Sequence, residues 1–324
     1  MGLMQPAFSI DVGGQDITSI IGGRLISMSV TDEAGQRSDT VSITLDNRDR
    51  RISMPSKGAV LLVSLGYRDS GVLFNGRYTV DEVSVSGTPL TMTIAGKAAD
   101  MRAGLKERKT RAFADTTLGD LVATVAADHG MTAKVGDDLA SVAVAHVDQT
   151  NESDLHLLTR LAADYGAVSK PVNGFLLFVK RGQAKSASGK LIPPVAITID
   201  QVSDYRFTFA DRGKYQSVIA HWHNPASGEQ EPVSAGDGRP AYTLRGSYPD
   251  QAAASAAAAA KLASLQRGEG TGSITLPGNP RLAAEGVVSL AGFMDGVDGD
   301  WVASRVVHSL AGTFSTSVSL EMRK

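Results

Sequence analysis

The chain has 324 residues, of which 42% are hydrophobic and 20% are charged, so it can form a sizeable core and two or three soluble domains. Its formal net charge of −2 gives no electrostatic basis for contact with DNA or RNA, and we expect no sequence-specific nucleic-acid binding. Cysteine is absent, which excludes disulfides, thiolate metal sites and cysteine nucleophiles.

The N-terminus has no basic segment followed by an apolar one, so we expect no signal peptide. No apolar run approaches the roughly 20 residues that a spanning helix requires. We therefore expect no membrane anchoring.

Residues 1–105 are predicted to form a small antiparallel β-barrel or sandwich. About six alternating runs lie between residues 7 and 100, separated by turn residues. In one of these runs, Val41, Ile43 and Leu45 share a face.

The C-terminal region repeats a pattern from this first domain. Residues 58–67 and 286–293 are both Gly-led apolar strands that end in Gly and an aromatic residue. Each is followed by Asn-Gly or Asp-Gly, then an aromatic residue two positions after that glycine and a valine five positions further on. These dipeptides predict hairpin turns with positive φ at Gly76 and Gly299. A duplicated β-domain explains the repeat; chance is the alternative, since such hairpins are common.

Residues 106–190 are predicted to form a small α/β domain. It begins with a charged crossover at 106–111, contains a short strand at 141–149 and ends with a hairpin around Asn173, before a polar linker at 183–190.

Two helices are predicted within this domain. The first spans 117–130, with Thr117 and Asp120 as a capping box and an apolar stripe on one face. The second spans 153–166, with Ser153 or Asn151 as its cap.

Residues 191–324 are predicted to form the second β-barrel. An Ala-rich helix at 249–268 interrupts its strands, and the strand at 215–224 is expected to pair across 225–230. The strands before the helix and the repeat after it would then close one barrel.

His221 and His223 flank Trp222 and form the pattern most suggestive of a metal site. Alternate residues of a strand point to one side, so the two rings can converge. No third histidine stands at a recognised ligand spacing, so we favour two histidines on the solvent face of a strand.

Acidic residues give no clear site either. Asp295, Asp298 and Asp300 resemble a calcium loop but lack the closing glutamate of an EF-hand, and Asp298 serves a hairpin turn. Asp81 and Glu82 are adjacent in a strand and point to opposite faces. No nucleophile elbow, phosphate loop or dinucleotide fingerprint occurs. We predict no catalytic, cofactor-binding or metal-binding residues and no enzymatic activity.

Several segments together resemble the phage late control gene D protein family, the hub proteins of contractile tails, which is related to the N-terminal part of VgrG proteins. The most specific is QTNESDLHLLTRLAADYGA at 149–167, which is similar to the family's Gln-x-x-Glu-Ser-Asp segment. The other segments are PSKGAVLLVSLGY at 55–67, FNGRYTVDEV at 74–83, TLGDLVATVAADHGM at 117–131 and residues 286–321.

The resemblance implies a mainly β fold, with two tail-tube-like antiparallel barrels flanking a small α/β domain. It implies a homotrimer whose six barrels form a ring between the hexameric tail tube and the trimeric central spike. The other implied partners are the tape-measure protein and the surrounding baseplate proteins. The implied location is the tail baseplate of an infectious phage, a defective prophage or a tail-like bacteriocin, assembled in the bacterial cytoplasm. VgrG proteins fuse hub and spike, whereas this chain ends at Lys324 after the second barrel, so we expect a separate spike polypeptide.

Two other functions are compatible with parts of the sequence. Residues 117–130 resemble the start of a glycan-binding LysM domain, which would suit a peptidoglycan-active protein, but no acid dyad or metal motif supports hydrolysis. A tail-tube protein is the other alternative, although the duplication and the inserted domain argue against it.

A ring of this kind would leave a bore, which we expect to be neutral or acidic so that an anionic polymer can pass. The acids in the two barrels are candidates for the bore or, equally, for the outer surface: Asp32, Glu33, Asp46, Asp204 and Asp211.

Overall fold

The protein is mainly β, with one large curled sheet and smaller sheets beside it. A computed structural model describes residues 5–35, 38–98, 103–172, 174–182, 192–210 and 215–323. Thirteen strands of the described residues form the large sheet. The predicted hairpin residue Asn173, the linker at 183–190 and the candidate acid Asp211 lie outside the described residues.

The first sheet unit curls around an apolar core. Its strands run in the order β3 (Leu25–Glu33), β4 (Thr40–Asp46), β7 (Thr91–Ala98), β6 (Gly71–Ser86), β5 (Val60–Tyr67) and β1 (Pro6–Val12), each antiparallel to its neighbour. Val41, Ile43 and Leu45 are buried on one face of β4, as their alternation predicts. The elements are β1 (Pro6–Val12), β2 (Gln15–Asp16), α1 (Thr18–Gly22), β3 (Leu25–Glu33), β4 (Thr40–Asp46), β5 (Val60–Tyr67), β6 (Gly71–Ser86) and β7 (Thr91–Ala98).

The predicted hairpin turn at Gly76 is wrong. The turn between β5 and β6 lies at residues 68–70, and Asn75 is the extra residue of a β-bulge opposite Val63 and Ser64. Gly76 does not have positive φ. A Cβ there would collide with the Tyr78 hydroxyl, so the glycine is explained by the close approach of that buried ring.

An α/β unit follows the first sheet unit and has its own core. The predicted charged crossover is wrong from Arg108 onward, because this segment is a strand that pairs antiparallel with residues 143–153. Its charges are tolerated because acids lie opposite them, as described below. The elements are a 3₁₀ turn (Ala103–Lys106), β8 (Arg108–Thr117), α2 (Leu118–Asp128), β9 (Thr132–Val135), α3 (Asp137–Ala140), β10 (Ala143–Ser153), α4 (Asp154–Asp164), β11 (Ala167–Val172) and β12 (Phe175–Lys180).

Both helices predicted in this unit are confirmed. The Thr117 hydroxyl accepts a hydrogen bond from the Asp120 amide and caps α2. Of the two candidate caps of α4, Ser153 is the one that accepts from a helix amide, that of His156. The predicted stripe of α2 is fully buried: Leu118, Leu121, Val122, Val125 and Ala126.

The second sheet unit has the strand order β13-β19-β20-β21-β18-β14. All of these pairs are antiparallel except β13 with β19, which is parallel. The elements are β13 (Val195–Thr198), a 3₁₀ turn (Ile199–Gln201), β14 (Asp204–Phe209), β18 (Gly270–Pro277), β19 (Val287–Ala291), β20 (Gly299–Ala311) and β21 (Thr313–Met322).

A separate three-stranded sheet is inserted between β14 and β18. It consists of β15 (Ser217–Asn224), β16 (Glu229–Gly236) and β17 (Ala241–Tyr248), and α5 (Gln251–Arg267) packs on it. The predicted pairing of the strand at 215–224 is confirmed, but this strand lies outside the second barrel, because its apolar face packs against the alanines of α5. None of the described helices is both long and apolar enough to cross a lipid bilayer.

The two sheet units have the same strand order, which supports the duplication. They differ in the last pair, because β1 is antiparallel to β5 whereas β13 is parallel to β19. In the strand orders given above, β3, β4, β7, β6, β5 and β1 correspond to β14, β18, β21, β20, β19 and β13. Each unit has a β-bulge at the same place, at Asp81 in β6 and at Ser304 in β20. The backbone of Val80 accepts from the Gly58 amide and donates to the Ala59 carbonyl oxygen. The backbone of Ala303 makes the same two bonds, with Glu285 and Gly286.

One strand joins the units into a single sheet. Before its bulge β20 pairs with β19, and after the bulge residues 305–310 pair antiparallel with residues 28–33 of β3. The second unit therefore continues directly into the first through backbone hydrogen bonds.

Gly299 has the predicted positive φ, but it begins β20, where it pairs with Leu290, and the connection to β19 is the loop at 292–298 instead of a two-residue turn. The φ of Gly299 is +126°, and a Cβ at this position would meet no atom within 4 Å. Gly299→Ala is expected to lower the free energy of unfolding by about 1 kcal/mol through backbone strain alone, measured by urea denaturation. Gly23→Ala is the control, since Gly23 has φ −78° and equal space. Equal stability of the two variants would contradict the strain.

Candidate functional site

A partly buried ion cluster lies where the three parts of the chain meet. Lys170 of β11 donates to the carboxylates of Asp32 (2.9 Å) and Asp39 (2.7 Å) and to the Glu33 carbonyl oxygen (2.8 Å). The other oxygen of Asp32 accepts the amide of Ala284, which belongs to the loop before β19 (2.8 Å). These four groups, the Asp32–Asp39–Lys170–Ala284 junction, hold both sheet units and the α/β unit together.

Two carboxylates share one ammonium in this junction, and their pKa values shift in opposite directions. Burial raises the pKa of Asp39 and the nearby Asp32 charge raises it further, to about 7 despite Lys170. For Asp32, burial opposes ionisation, but Lys170 and the Ala284 amide outweigh it and lower the pKa. Burial also opposes the charge of Lys170, yet the two carboxylates raise its pKa above its ordinary value.

A second polar network lies inside the α/β unit around Asp154, which is fully buried at the start of α4. Its carboxylate accepts hydrogen bonds from Lys109, Arg111 and His129, each at 2.7 Å, and from Gln149 at 2.8 Å. Burial alone would raise the pKa of Asp154, but these donors lower it to about 2.

The Gln-x-x-Glu-Ser-Asp segment is therefore a structural motif. Gln149 is fully buried and bonds both to Asp154 and to the Glu152 carbonyl oxygen. The Glu152 carboxylate pairs with Arg160 at 2.9 Å, and Ser153 caps α4. Sequence reasoning found the cap and the helix-dipole charge, but it missed the partners on β8, since no spacing relates residues 43 to 45 positions apart.

His221 and His223 lie on the face of β15 opposite to the one that packs against α5. Strand alternation brings them to one side, as expected. Within the described residues, no group of three or more His, Cys, Asp or Glu side chains could hold a metal ion.

Two of the three acids that resemble a calcium loop, Asp298 before β20 and Asp300 within it, have structural partners. Asp298 accepts the amides of Gly292 (3.1 Å) and Phe293 (2.8 Å), which closes the loop. Asp300 accepts from Ser289 (2.6 Å) and from Arg323 (3.1 Å).

The acids proposed for the bore have different environments. Asp32 lies in the junction, Glu33 pairs with Arg305 at 3.0 Å and Asp46 pairs with Arg48 at 2.6 Å. Asp204 is exposed at the start of β14.

Two of the unpaired strand edges among the described residues belong to the large sheet, one in each of its two units. Strand β14 pairs with β18 on one side only, and residues 81–86 of β6 pair with β7 on one side only. Large apolar side chains lie exposed there: Tyr205 is 49% exposed, Phe209 51% and Val85 48%. Such edges are templates for pairing with another chain.

Two equivalent, tail-tube-like β units flanking an α/β domain define a fold class found in phage tails, and the chain matches known proteins of that kind. The model of the phage tail baseplate hub family (GPD) matches residues 74–313. Two curated relatives are probable baseplate hub proteins of Escherichia phages 186 and P2, which are 36% and 34% identical. Each alignment covers 99% of this chain and 94% of the relative. The chain therefore belongs to the phage tail baseplate hub family.

Solved structures share the fold. A 43 kDa tail protein of prophage MuSo2 from Shewanella oneidensis superimposes with a TM-score of 0.75 at 16% identity, covering 98% of both chains. A type VI secretion component of E. coli has a TM-score of 0.63 at 9% identity, covering 97% of this chain and 77% of the other. The predicted family resemblance and fold class are confirmed.

The junction lysine allows a stability test. Lys170→Met is expected to lower the free energy of unfolding by about 2–3 kcal/mol, between the costs of breaking a surface pair and a buried pair, because it leaves two partly buried carboxylates without their cation. Lys97→Met is the matched control, since Lys97 pairs with Asp81 on the surface and both side chains are more than half exposed. This variant should cost at most about 1 kcal/mol. Equal losses in urea denaturation would contradict the role of the junction.

The raised pKa of Asp39 predicts a pH dependence. The folded-state pKa of about 7 exceeds the unfolded value, so the folded protein binds this proton more tightly. The resulting stability is fully present below the unfolded pKa and is lost as pH rises through 7. We expect the stability of the wild type, relative to Asp39→Asn, to fall between pH 5 and pH 8. Urea denaturation at each pH measures it; a constant or rising difference would contradict the assignment.

Proposed function

We propose that this chain is the structural hub of a contractile phage tail or a phage-tail-like particle, in which three copies form a ring between the hexameric tube and a trimeric central spike. The observation that carries the proposal is the duplication of the sheet unit within one chain. Three copies present six equivalent units toward a sixfold tube while keeping threefold symmetry toward a spike.

The membership of the hub family and the unpaired edges of β14 and β6 support assembly as the role of the chain. The tape-measure protein and the surrounding baseplate proteins are further proposed partners, and the site of assembly is the bacterial cytoplasm. We propose no enzymatic activity, because the described polar networks bind their charges to one another. The three-part division at 1–105, 106–190 and 191–324 belongs to this proposal.

A neutral or acidic bore along the ring axis is also part of the proposal. Among the candidate acids, Asp204 is the one best placed to contribute, because its exposed side chain has no described ion-pair partner, whereas Glu33 and Asp46 are paired with arginines.

The number of copies in the ring is the direct test. Native mass spectrometry of the assembled ring, with and without the candidate spike, should give three times the 33.9 kDa mass of one chain. Six copies would indicate a tube-type ring, and a monomer under all conditions, including with spike and tube present, would contradict the hub proposal.

A further inference from the structure

Because the sheet unit is duplicated, each chain contains two equivalent pairs of strands. The strands of one pair contact each other within the chain, which is the complete copy of the contact, whereas the strands of the other pair are apart, which is the divided copy. The complete copy is the pairing of residues 305–310 of β20 with residues 28–33 of β3. The strand equivalent to β20 is β6, and the strand equivalent to β3 is β14. Among the described residues, β6 after its bulge has no strand neighbour besides β7, and β14 has none besides β18.

The side chains of the divided copy are exposed where those of the complete copy are buried. His308 is 2% exposed in the internal contact, whereas its equivalent Val85 is 48% exposed. Met28 is 1% exposed, whereas its equivalent Tyr205 is 49% exposed. Exposed β-branched and aromatic residues on an unpaired strand edge favour strand addition over contact with solvent.

We propose that residues 83–86 of one copy pair antiparallel with residues 206–209 of a second copy, in the register of the internal β20–β3 contact. The bulges and the pairings with β4, β7, β18 and β21 fix this register. Val83 then lies opposite Phe209, Ser84 opposite Thr208 and Val85 opposite Phe207. This inference rests on the proposed ring and specifies how its subunits join.

The occupant of each edge is a second copy of this chain. Each copy carries one edge of each kind, so the contact is head to tail and can repeat around a closed ring. The internal contact shows that these two strand types pair within this fold, including the bulge that redirects the first of them. An unrelated extended peptide could form backbone hydrogen bonds with one of these edges. It would not carry the complementary edge, which a second copy of this chain supplies.

Disulfide cross-linking tests the register, because the chain contains no cysteine of its own. Ser84 and Thr208 are exposed and would face each other on the outer side of the pair. Cα atoms of directly opposed residues lie about 4.5–5.5 Å apart, within disulfide reach. Co-expressed Ser84→Cys and Thr208→Cys chains should form a cross-linked dimer on oxidation, and the double variant should form a covalent ring.

The control shifts the register by two residues. Ser84→Cys with Arg206→Cys places the cysteines on a diagonal of about 7–8 Å, beyond disulfide reach. We expect at least tenfold less cross-link for this pair, and none for either single variant alone. A ring of the expected mass without preferential Ser84–Thr208 cross-linking would overturn this pairing while leaving the proposed ring intact. A monomer without cross-links would overturn both.

A substitution without cysteine gives an independent measurement. Val85→Lys places a charge in the proposed contact and should weaken self-association about tenfold or more, equivalent to at least about 1.4 kcal/mol. Val72→Lys is the matched control, because Val72 is also exposed on β6 (38%) but lies in the part that pairs with β5. Sedimentation equilibrium measures both. Unchanged association of Val85→Lys, or equal loss in both variants, would overturn the proposal.

Discussion

Every amide and carbonyl on the edge of a β-strand needs a hydrogen-bond partner, and this constraint organises the whole chain. Strand β20 supplies hydrogen-bond partners in both units, because it pairs with β19 of the second unit before the bulge and with β3 of the first unit after the bulge. The bulge at Ser304 inserts one residue and bends the strand, which allows this change of partner. Without it, the two sheet units would each end in open edges on both sides.

The ion cluster of Lys170 fixes how the α/β unit sits on this continuous sheet. Asp32 belongs to β3 beside the β20 contact, and it accepts from Lys170 and from the Ala284 amide of the second unit. Removing one partner would leave a partly buried charge unpaired, a cost larger than that of breaking any one surface ion pair. The cluster therefore specifies orientation, while the apolar cores on both sides of it supply most of the favourable free energy.

The same reasoning explains the segment that most resembles the hub family. Four residues of this segment act on the start of α4. Gln149 and Glu152 are hydrogen-bond partners, Ser153 is the cap and Asp154 is the buried acceptor. The lysine and arginine of β8 supply the compensating charge. A strongly patterned acidic segment can thus be a folding requirement with no chemistry attached, which agrees with a structural component of a tail baseplate.

The sequence alone determined what depends on neighbouring residues: the caps at Thr117 and Ser153, the buried stripe of α2 and the alternation of β4, since these follow from helix and strand periodicity. It also contained the repeat. Only the tertiary structure decided that Asn75 forms a bulge and not a turn, because that depends on the register with β5 and on the Tyr78 ring. The β20–β3 contact and the partners of Lys170 likewise join residues more than 100 positions apart, and no local pattern encodes which distant strand edge or charge will complete them.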